Sequence, residues 1–275
     1  MRPAATGRVA VCKKCNCMQI DLAGQTVVVC GAARGIGRAI ADRFHAEKCR
    51  VIGFDREPQT DQRGDSDYLV VSGDVTSAEQ LQQFARSVGE VDHLIFCVGI
   101  GSGAFGFPFW EVPATAWARV LEVNLVGAAY VAHAFAPAMA ARGRGSLLFL
   151  TSVAGQIGSQ TDPPYSASKA GLINFMQCAA KDLAPFGVRA NCLAPGMVKT
   201  ELNRSVWQWG QERLPESQRS DYETWAEEKI RKVAPLGQWQ QPEEFAAMAI
   251  YLASDLARNI TGQTINIDGG WVMHS

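Results

Sequence analysis

The chain has 275 residues, of which 47% are hydrophobic and 19% are charged, and its formal net charge at pH 7 is −1. This length and composition are typical of one large α/β domain, or of two small ones, with a sizeable apolar core. The near-zero charge gives no electrostatic reason to expect nucleic acid or an anionic membrane as a partner, and we expect no apolar run as long as a membrane span.

The N-terminal segment, residues 1–17, differs in character from the sequence that follows and is predicted to be a disordered extension of a domain covering 18–275. Its three cysteines leave metal binding as an alternative, although a structural zinc site takes four ligands. No secretory signal is evident. The five remaining cysteines lie in apolar stretches and are expected to be buried, reduced thiols of a cytoplasmic protein: Cys30, Cys49, Cys97, Cys178 and Cys192.

The first predicted strand is the β-branched, apolar run from Thr26 to Cys30. A glycine-rich turn follows it at once, Gly31-Ala32-Ala33-Arg34-Gly35-Ile36-Gly37, and then a segment with helical apolar spacing. Gly31 permits a tight turn, while Gly35 and Gly37 allow a pyrophosphate to approach the backbone at the start of the helix. Strand, turn and helix together predict a phosphate-binding element.

The second predicted strand, Arg50 to Phe54, ends in Asp55, eighteen residues after Gly37. An acid at that place can accept hydrogen bonds from an adenosine ribose and would repel a 2′-phosphate, which favours NAD over NADP. The alternative is a solvated loop aspartate, since Arg56 and Glu57 follow it.

Strands and helices continue to alternate along the chain, which predicts a parallel sheet covered on both faces. Predicted strands cover 68–72, 92–98, 146–151, 188–193 and 263–267, and predicted helices cover 77–88, 114–141, the segment after Pro163-Pro164, and 241–253. The glycine-rich stretch 99–106 follows the fourth strand, where doubly wound sheets bind ligands. Residues 201–234 are polar, contain three tryptophans, and are predicted to form a lid over the site.

Tyr165 and Lys169 are four residues apart, so on a helix they share one face. An ammonium beside a phenol lowers the phenol pKa from its free value of about 10, which would let Tyr165 exchange a proton with an alcohol near neutral pH. The spacing is loosely specified, and it indicates a site only together with the other motifs.

From about residue 20 to the C-terminus the chain resembles a classical short-chain dehydrogenase/reductase. The matching pieces are Gly31-x-x-x-Gly35-Ile36-Gly37, Asp74-Val75, Asn124, Ser152, Tyr165-x-x-x-Lys169 and Pro195-Gly196-x-Val198-x-Thr200. Two departures stand out. Cys30 replaces the usual threonine, and Phe96-Cys97-Val98-Gly99 replaces an Asn-Asn-Ala-Gly run, which puts the local hydrogen bonding there in doubt.

The resemblance implies a single Rossmann-type domain whose seven parallel strands run in the order 3-2-1-4-5-6-7. It implies that Tyr165 is the general acid/base, that Ser152 holds the substrate oxygen, and that Lys169 binds the nicotinamide ribose. Asn124 would hold a water that links Lys169 to solvent. The implied cofactor-binding set is completed by Gly31, Arg34, Gly35, Ile36, Gly37, Asp55, Asp74 and Val75 (beside the adenine), Gly99, Pro195, Gly196, Val198 (at the carboxamide) and Thr200 (at the phosphates). No metal is required. A homotetramer or homodimer is expected, with helices around 114–141 and 164–185 pairing between subunits.

The substrate expected from the sequence is a secondary alcohol, in particular a sugar or polyol, because the stretch between Ser152 and Tyr165 is polar. Side chains expected to wall the pocket are Gln156, Gln160, Asp162, Trp207, Trp209, Phe105 and Phe107; the tryptophans could equally be core anchors. The aromatic residues keep a steroid or aromatic diol open. Arg34 keeps open an NADPH-dependent ketoreductase of the 3-oxoacyl type, and a non-catalytic nucleotide-binding scaffold is the remaining alternative.

Overall fold

The computed structural model describes residues 20–58, 67–159 and 161–273, so the predictions for residues 1–17 and for Gln160 lie outside it. The strands are β1 Thr26–Cys30, β2 Arg50–Asp55, β3 Tyr68–Ser72, β4 His93–Phe96, β5 Gly145–Leu150, β6 Val188–Pro195 and β7 Thr264–Ile267. The helices are α1 Gly35–Ala46, α2 Ala78–Val88, α3 Ala114–Leu121, α4 Gly127–Arg142, α5 Pro163–Leu183, α6 Glu201–Glu212, α7 Tyr222–Val233 and α8 Pro242–Ala253.

All seven strands pair in parallel in one sheet with the order β3-β2-β1-β4-β5-β6-β7, which confirms the predicted topology. The chain fills the sheet from β1 outward to β3 and then returns to the other side of β1 with β4. The crossovers therefore diverge between β1 and β4, and a crevice opens there at the carboxyl edge of the sheet.

The core consists of two apolar layers, one on each face of the sheet. Because side chains alternate along a strand, Val28 of β1 belongs to the layer with α2, α4 and α5. Its neighbours Val27 and Val29 belong to the opposite layer, with Phe44 of α1 and Phe245 of α8. Two covered faces explain why the strands read as continuous apolar runs in the sequence.

The predicted helix 114–141 is interrupted. A π-helical turn, Glu122–Val126, separates α3 from α4. By length and composition alone, Ala114–Arg142 meets the criteria for a membrane span, with 29 residues and a mean hydropathy of 1.3. In this fold it packs on the sheet: Val131, Phe135 and Met139 of α4 belong to the core, which accounts for the apolar composition.

The segment 201–234 forms α6 and α7, which follow the end of β6 beside the crevice. Of the five cysteines expected to be buried, Cys30, Cys49 and Cys192 are buried and Cys97 is half-buried, but Cys178 is exposed on α5, so the prediction is wrong there. The apolar stretch around Cys178 has helical periodicity, and this position falls on the solvent side of the helix.

Candidate active site

A cavity of about 840 Å³ lies at the carboxyl edge of the sheet. With one exception, Asn124, every residue of the predicted site lines it: Gly31, Arg34, Gly35, Ile36, Gly37, Asp55, Asp74, Val75, Gly99, Ser152, Tyr165, Lys169, Pro195, Gly196, Val198 and Thr200. The residues come from loops that follow different strands, and the parallel sheet brings them together because all its strands end at this edge.

The glycine turn after β1 is tightly folded against the start of α1. Gly31 has a φ of +87°, and a β-carbon on Gly37 would lie only 2.0 Å from the Gly31 carbonyl oxygen. Helix α1 has no side-chain cap at Arg34 and no acidic residue in its first turn. Its first N–H groups are therefore available to an anion, and the positive end of the helix faces the cavity. The turn fits the pyrophosphate of a dinucleotide.

Asp55, at the end of β2, is fixed beside this turn. Its Oδ2 accepts a hydrogen bond from the Ala33 N–H at 3.0 Å, and its Oδ1 accepts one from the Glu57 N–H at 3.1 Å. The carboxylate is partly buried and lines the cavity, unlike a freely solvated loop aspartate. Arg34 is more exposed, and it forms an ion pair of 2.8 Å with Glu201 at the start of α6.

Asp74 and Val75 lie on the loop after β3. The Asp74 Oδ1 accepts hydrogen bonds from the Thr76 N–H at 2.9 Å and the Thr76 hydroxyl at 2.8 Å, and the backbone bond is the main cause of a lowered Asp74 pKa. Val75 packs against α4, where a β-carbon on Gly127 would lie 3.0 Å from its Cγ2. Both residues are thus held in place by the fold before any ligand binds.

Tyr165, in the first turn of α5, and Ser152, directly after β5, lie side by side in the cavity wall, and their side chains form a hydrogen bond. Burial raises the pKa of Tyr165 to about 12, and the Asp162 charge also raises it, while the bond from Ser152 lowers it. Tyr165 is therefore a neutral phenol near pH 7. In this state it can donate a proton to a carbonyl oxygen.

The predicted lowering of the Tyr165 pKa below its free value is wrong, because burial raises this pKa. The Lys169 Nζ lies 5.5 Å from the centre of the tyrosine ring and donates a hydrogen bond to the Leu150 carbonyl at 2.8 Å. Burial of the ammonium lowers the Lys169 pKa to about 8. Gly99 lies next to it: a β-carbon there would come within 3.2 Å of the Nζ, so only glycine leaves the lysine in place without adjustment.

Asn124 lies behind the cavity in the π-helical turn and is fully buried. Its Nδ2 donates to the Ile100 carbonyl at 2.9 Å and to the Ser168 Oγ at 3.0 Å, and its Oδ1 accepts from the Ile100 N–H at 2.8 Å. These bonds brace the loop after β4, where the family's usual amides are replaced by Phe96 and Cys97.

The loop after β6 completes the far wall of the cavity. A β-carbon on Gly196 would lie 2.7 Å from the Asp268 Cα, so this turn packs closely against the loop after β7. Val198 forms an isolated parallel bridge with Gln240. Thr200 caps α6, and its Oγ1 accepts a hydrogen bond from the Asn203 N–H at 3.3 Å.

Several residues expected at the pocket wall have other roles. Gln156 bonds to the Asn266 side chain at 2.7 Å and lines a separate cavity together with Phe107. Trp207 donates to the Ser220 carbonyl at 3.2 Å and packs on the Tyr222 ring, so it anchors α6 to α7. Trp209 does not line the main cavity either; its ring packs edge-on against Phe105 and Phe107.

Other residues line the cavity that the sequence patterns did not single out. Leu202, Asn203 and Val206 project from α6, and Lys229 comes from α7. Leu202 and Asn203 lie four and three residues before Val206, so the three share one face of α6, but the sequence alone does not show which face turns toward the cavity.

A doubly wound parallel sheet with a glycine turn and a Ser-Tyr-Lys group at its carboxyl edge defines a Rossmann-type oxidoreductase. The family model described as enoyl-(acyl carrier protein) reductase matches residues 31–272. The chain belongs to the classical short-chain dehydrogenase/reductase family.

Similar proteins within the family act on different substrates. The chain is 30% identical to an NAD-dependent glycerol dehydrogenase of Listeria innocua, over 92% of this chain and 96% of that one. It is 31% identical to the 3-oxoacyl-(acyl-carrier-protein) reductase FabG of Escherichia coli, over 92% of this chain and 100% of that one. The solved structure of aldohexose dehydrogenase from Thermoplasma acidophilum is 27% identical, covers 94% of this chain and 98% of its own, and has a TM-score of 0.80.

Proposed function

We propose that the protein is an NAD-dependent dehydrogenase that interconverts a secondary alcohol and its carbonyl compound, with Tyr165 as the general acid/base. The observation that carries this proposal is the position of Ser152, Tyr165 and Lys169 in the wall of the same cavity as the glycine turn. This arrangement also argues against a non-catalytic scaffold, because a protein that only bound nucleotide would need no proton-transfer group beside the site.

The nicotinamide, when bound, accepts or supplies the hydride. The protein supplies the proton chemistry. In reduction the Tyr165 phenol donates its proton to the carbonyl oxygen as that oxygen gains charge, and in oxidation the phenolate removes the hydroxyl proton. Ser152 holds the same oxygen by a hydrogen bond. Lys169 contributes its buried ammonium to the ribose side of the site.

The preference for NAD rests on Asp55. Its carboxylate is held at the end of β2 by two backbone N–H groups and lines the cavity, where ribose hydroxyls would donate to it. A 2′-phosphate at this place would meet a fixed negative charge. The Listeria relative, named as NAD-dependent, is consistent with this preference.

For the substrate we propose a polyol or sugar. Ser159, Thr161 and Asp162 line the cavity near Tyr165, and such polar groups favour a ligand that carries hydroxyls. The glycerol and aldohexose dehydrogenases among the similar proteins support this class. Trp207 and Trp209 do not line the cavity and so do not contact a substrate bound there.

An NADPH-dependent reduction of 3-oxoacyl thioesters is the second candidate. It is favoured by Arg34, a basic residue at the cavity mouth, and by the similarity to the Escherichia coli reductase. Against it, Arg34 is already paired with Glu201. A steroid or aromatic diol as the substrate is supported only by Phe105 and by the apolar part of the cavity wall.

To test the proposal, turnover is measured with NAD(H) and with NADP(H) at equal concentrations. The substrates are glycerol, aldoses, cyclic alcohols, hydroxysteroids and a 3-oxoacyl thioester. We expect polyol or sugar oxidation with NAD, and its loss by at least 100-fold in Tyr165→Phe, with NADH affinity unchanged. Faster turnover of the thioester with NADPH would establish the second candidate instead. Full activity of Tyr165→Phe would show that the proton leaves by another route.

We also propose a homotetramer or homodimer, with helices around 114–141 and 164–185 forming the subunit contact. Tyr130 of α4 is 39% exposed and Val126 of the π-helical turn is 37% exposed, which leaves apolar surface on this side. Light scattering at micromolar concentration measures the mass directly, and a value near 29.8 kDa would contradict the proposal.

A further inference from the structure

Asp162 is an acidic residue in the wall of the main cavity, three positions before Tyr165. It is 6% exposed, so its carboxylate is almost completely removed from bulk solvent. It stands at the N-cap of α5, the helix that carries Tyr165 and Lys169. Asp162 and Tyr165 therefore line the same cavity from the first turn of one helix.

Backbone N–H groups of the protein donate hydrogen bonds to both oxygens of the Asp162 carboxylate. Oδ2 accepts a hydrogen bond from the Ser102 N–H at 2.8 Å, and Oδ1 accepts one from the Tyr165 N–H at 3.3 Å. The Ser102 hydroxyl donates to the Ala104 carbonyl at 3.2 Å. A carboxylate offers about four acceptor positions, so at least one remains for a ligand. Helix capping alone does not require an acid here, because serine, threonine or asparagine caps a helix as well.

Two apolar side chains also lie close to Asp162. A β-carbon on Gly101 would lie 2.9 Å from the Asp162 Oδ2, 3.1 Å from the Phe105 Cε1 and 3.1 Å from the Leu202 Cδ1. The carboxylate thus shares one corner of the cavity with an aromatic ring and with an aliphatic side chain of α6. A hydrogen bond made in such a setting is stronger than one made in water.

We propose that Asp162 is a specificity-determining residue that accepts a hydrogen bond from a second hydroxyl group of the substrate, while Phe105 and Leu202 contact its C–H surface. The inference rests on the proposed alcohol dehydrogenase function and narrows its substrate class to diols and polyols. A substrate carboxylate at this position would be repelled by the fixed charge.

The test compares matched alcohols that differ in one hydroxyl: cyclohexane-1,2-diol against cyclohexanol, and propane-1,2-diol against propan-2-ol, all with saturating NAD. We expect Asp162→Asn and Asp162→Ser, which keep a capping oxygen, to lower kcat/KM for the diols by about 10- to 100-fold. The variants also remove a charge that raises the Tyr165 pKa, which affects both alcohols of a pair. The decisive readout is therefore the ratio of kcat/KM for each diol to that for its matched monohydric alcohol, which should fall by about 10- to 100-fold. The rise in Tm that the diol produces in the NAD-saturated protein should shrink in parallel.

Asp221→Asn is the matched control, because Asp221 caps α7 in the same way but is exposed and does not line the cavity. It should leave the diol preference unchanged. Equal losses for diols and monohydric alcohols would assign Asp162 a purely structural role and overturn the inference. If the wild-type protein oxidises none of these alcohols and no sugar, the proposed function itself fails. Activity on alcohols with an unchanged diol preference in Asp162→Asn overturns the Asp162 inference alone.

Discussion

The substitution Gly37→Ala tests how the glycine turn is built. The new β-carbon would lie 2.0 Å from the Gly31 carbonyl oxygen, 2.9 Å from its carbonyl carbon and 3.0 Å from the Cys97 Cβ. Gly31 must therefore move by about 1 Å before the first contact reaches 3.0 Å, below which real Cβ contacts essentially never occur. Both opposing groups at Gly31 are backbone atoms, and its N–H donates to the Phe54 carbonyl at 2.8 Å, so the shift disturbs the β1–β2 edge.

Overpacking of this kind costs about 1–3 kcal/mol of unfolding free energy. For a chain of this size the expected fall in Tm is about 2–12 °C. The displaced turn also misplaces N–H groups that would donate to the cofactor phosphates. Losing one charge-assisted hydrogen bond raises the dissociation constant for NADH by about 10- to 100-fold.

The assays are thermal unfolding with and without NADH, and a fluorescence titration of NADH. Gly210→Ala is the matched control, since a β-carbon there meets no atom within 4 Å and the site lies inside α6. It should leave NADH affinity unchanged and raise Tm slightly, because alanine favours a helix over glycine. A Gly37→Ala protein with wild-type Tm and wild-type NADH affinity would refute the argument that close packing of this turn forms the phosphate site.

Three further outcomes are expected. The rate of alcohol oxidation should rise from pH 6 to pH 9, because burial raises the pKa of Tyr165 to about 12 and oxidation needs the phenolate. The polar or charged groups that face Tyr165 are Ser152, Asp162 and Lys169. A rate that does not change with pH would contradict the assignment of Tyr165 as the general acid/base. Asp55→Ala should narrow the difference in kcat/KM between NAD and NADP by about 1–3 kcal/mol; a wild-type protein that turns over NADPH faster than NADH refutes this. A chain starting at Met18 should keep its activity and Tm, and the loss of bound zinc together with stability would show that residues 1–17 are structural.

Local sequence patterns were enough to predict most elements of the fold. The run from Thr26 to Cys30 became β1, and the apolar spacing after Gly37 became α1, because each element covers a buried face whose period is set by backbone geometry. The alternation of strands and helices predicted a parallel sheet, and the family resemblance added the strand order. The exception is the helix predicted over 114–141, because its sequence pattern did not predict the π-helical turn at Glu122–Val126.

The positions of the site residues were also predictable, because the carboxyl ends of parallel strands meet at one edge of the sheet. Asp55 ends a strand, Ser152 and the turn after Pro195 each follow one, and all reach the same cavity. Side-chain partners were less predictable. Trp207 packs on Tyr222, and Gln156 bonds to Asn266, 110 residues away along the chain.

The amino-acid sequence by itself determined which segments become strands, helices and the glycine turn, since those follow from local propensity and periodicity. Only the tertiary structure decided the protonation of Tyr165 and Lys169. A pKa depends on burial and on charges that come close through folding, and here burial outweighs the proximity of the two side chains. It also decided that Asp162, rather than the tryptophans, lines the cavity, because the direction of a side chain depends on how α5 and α6 pack around it.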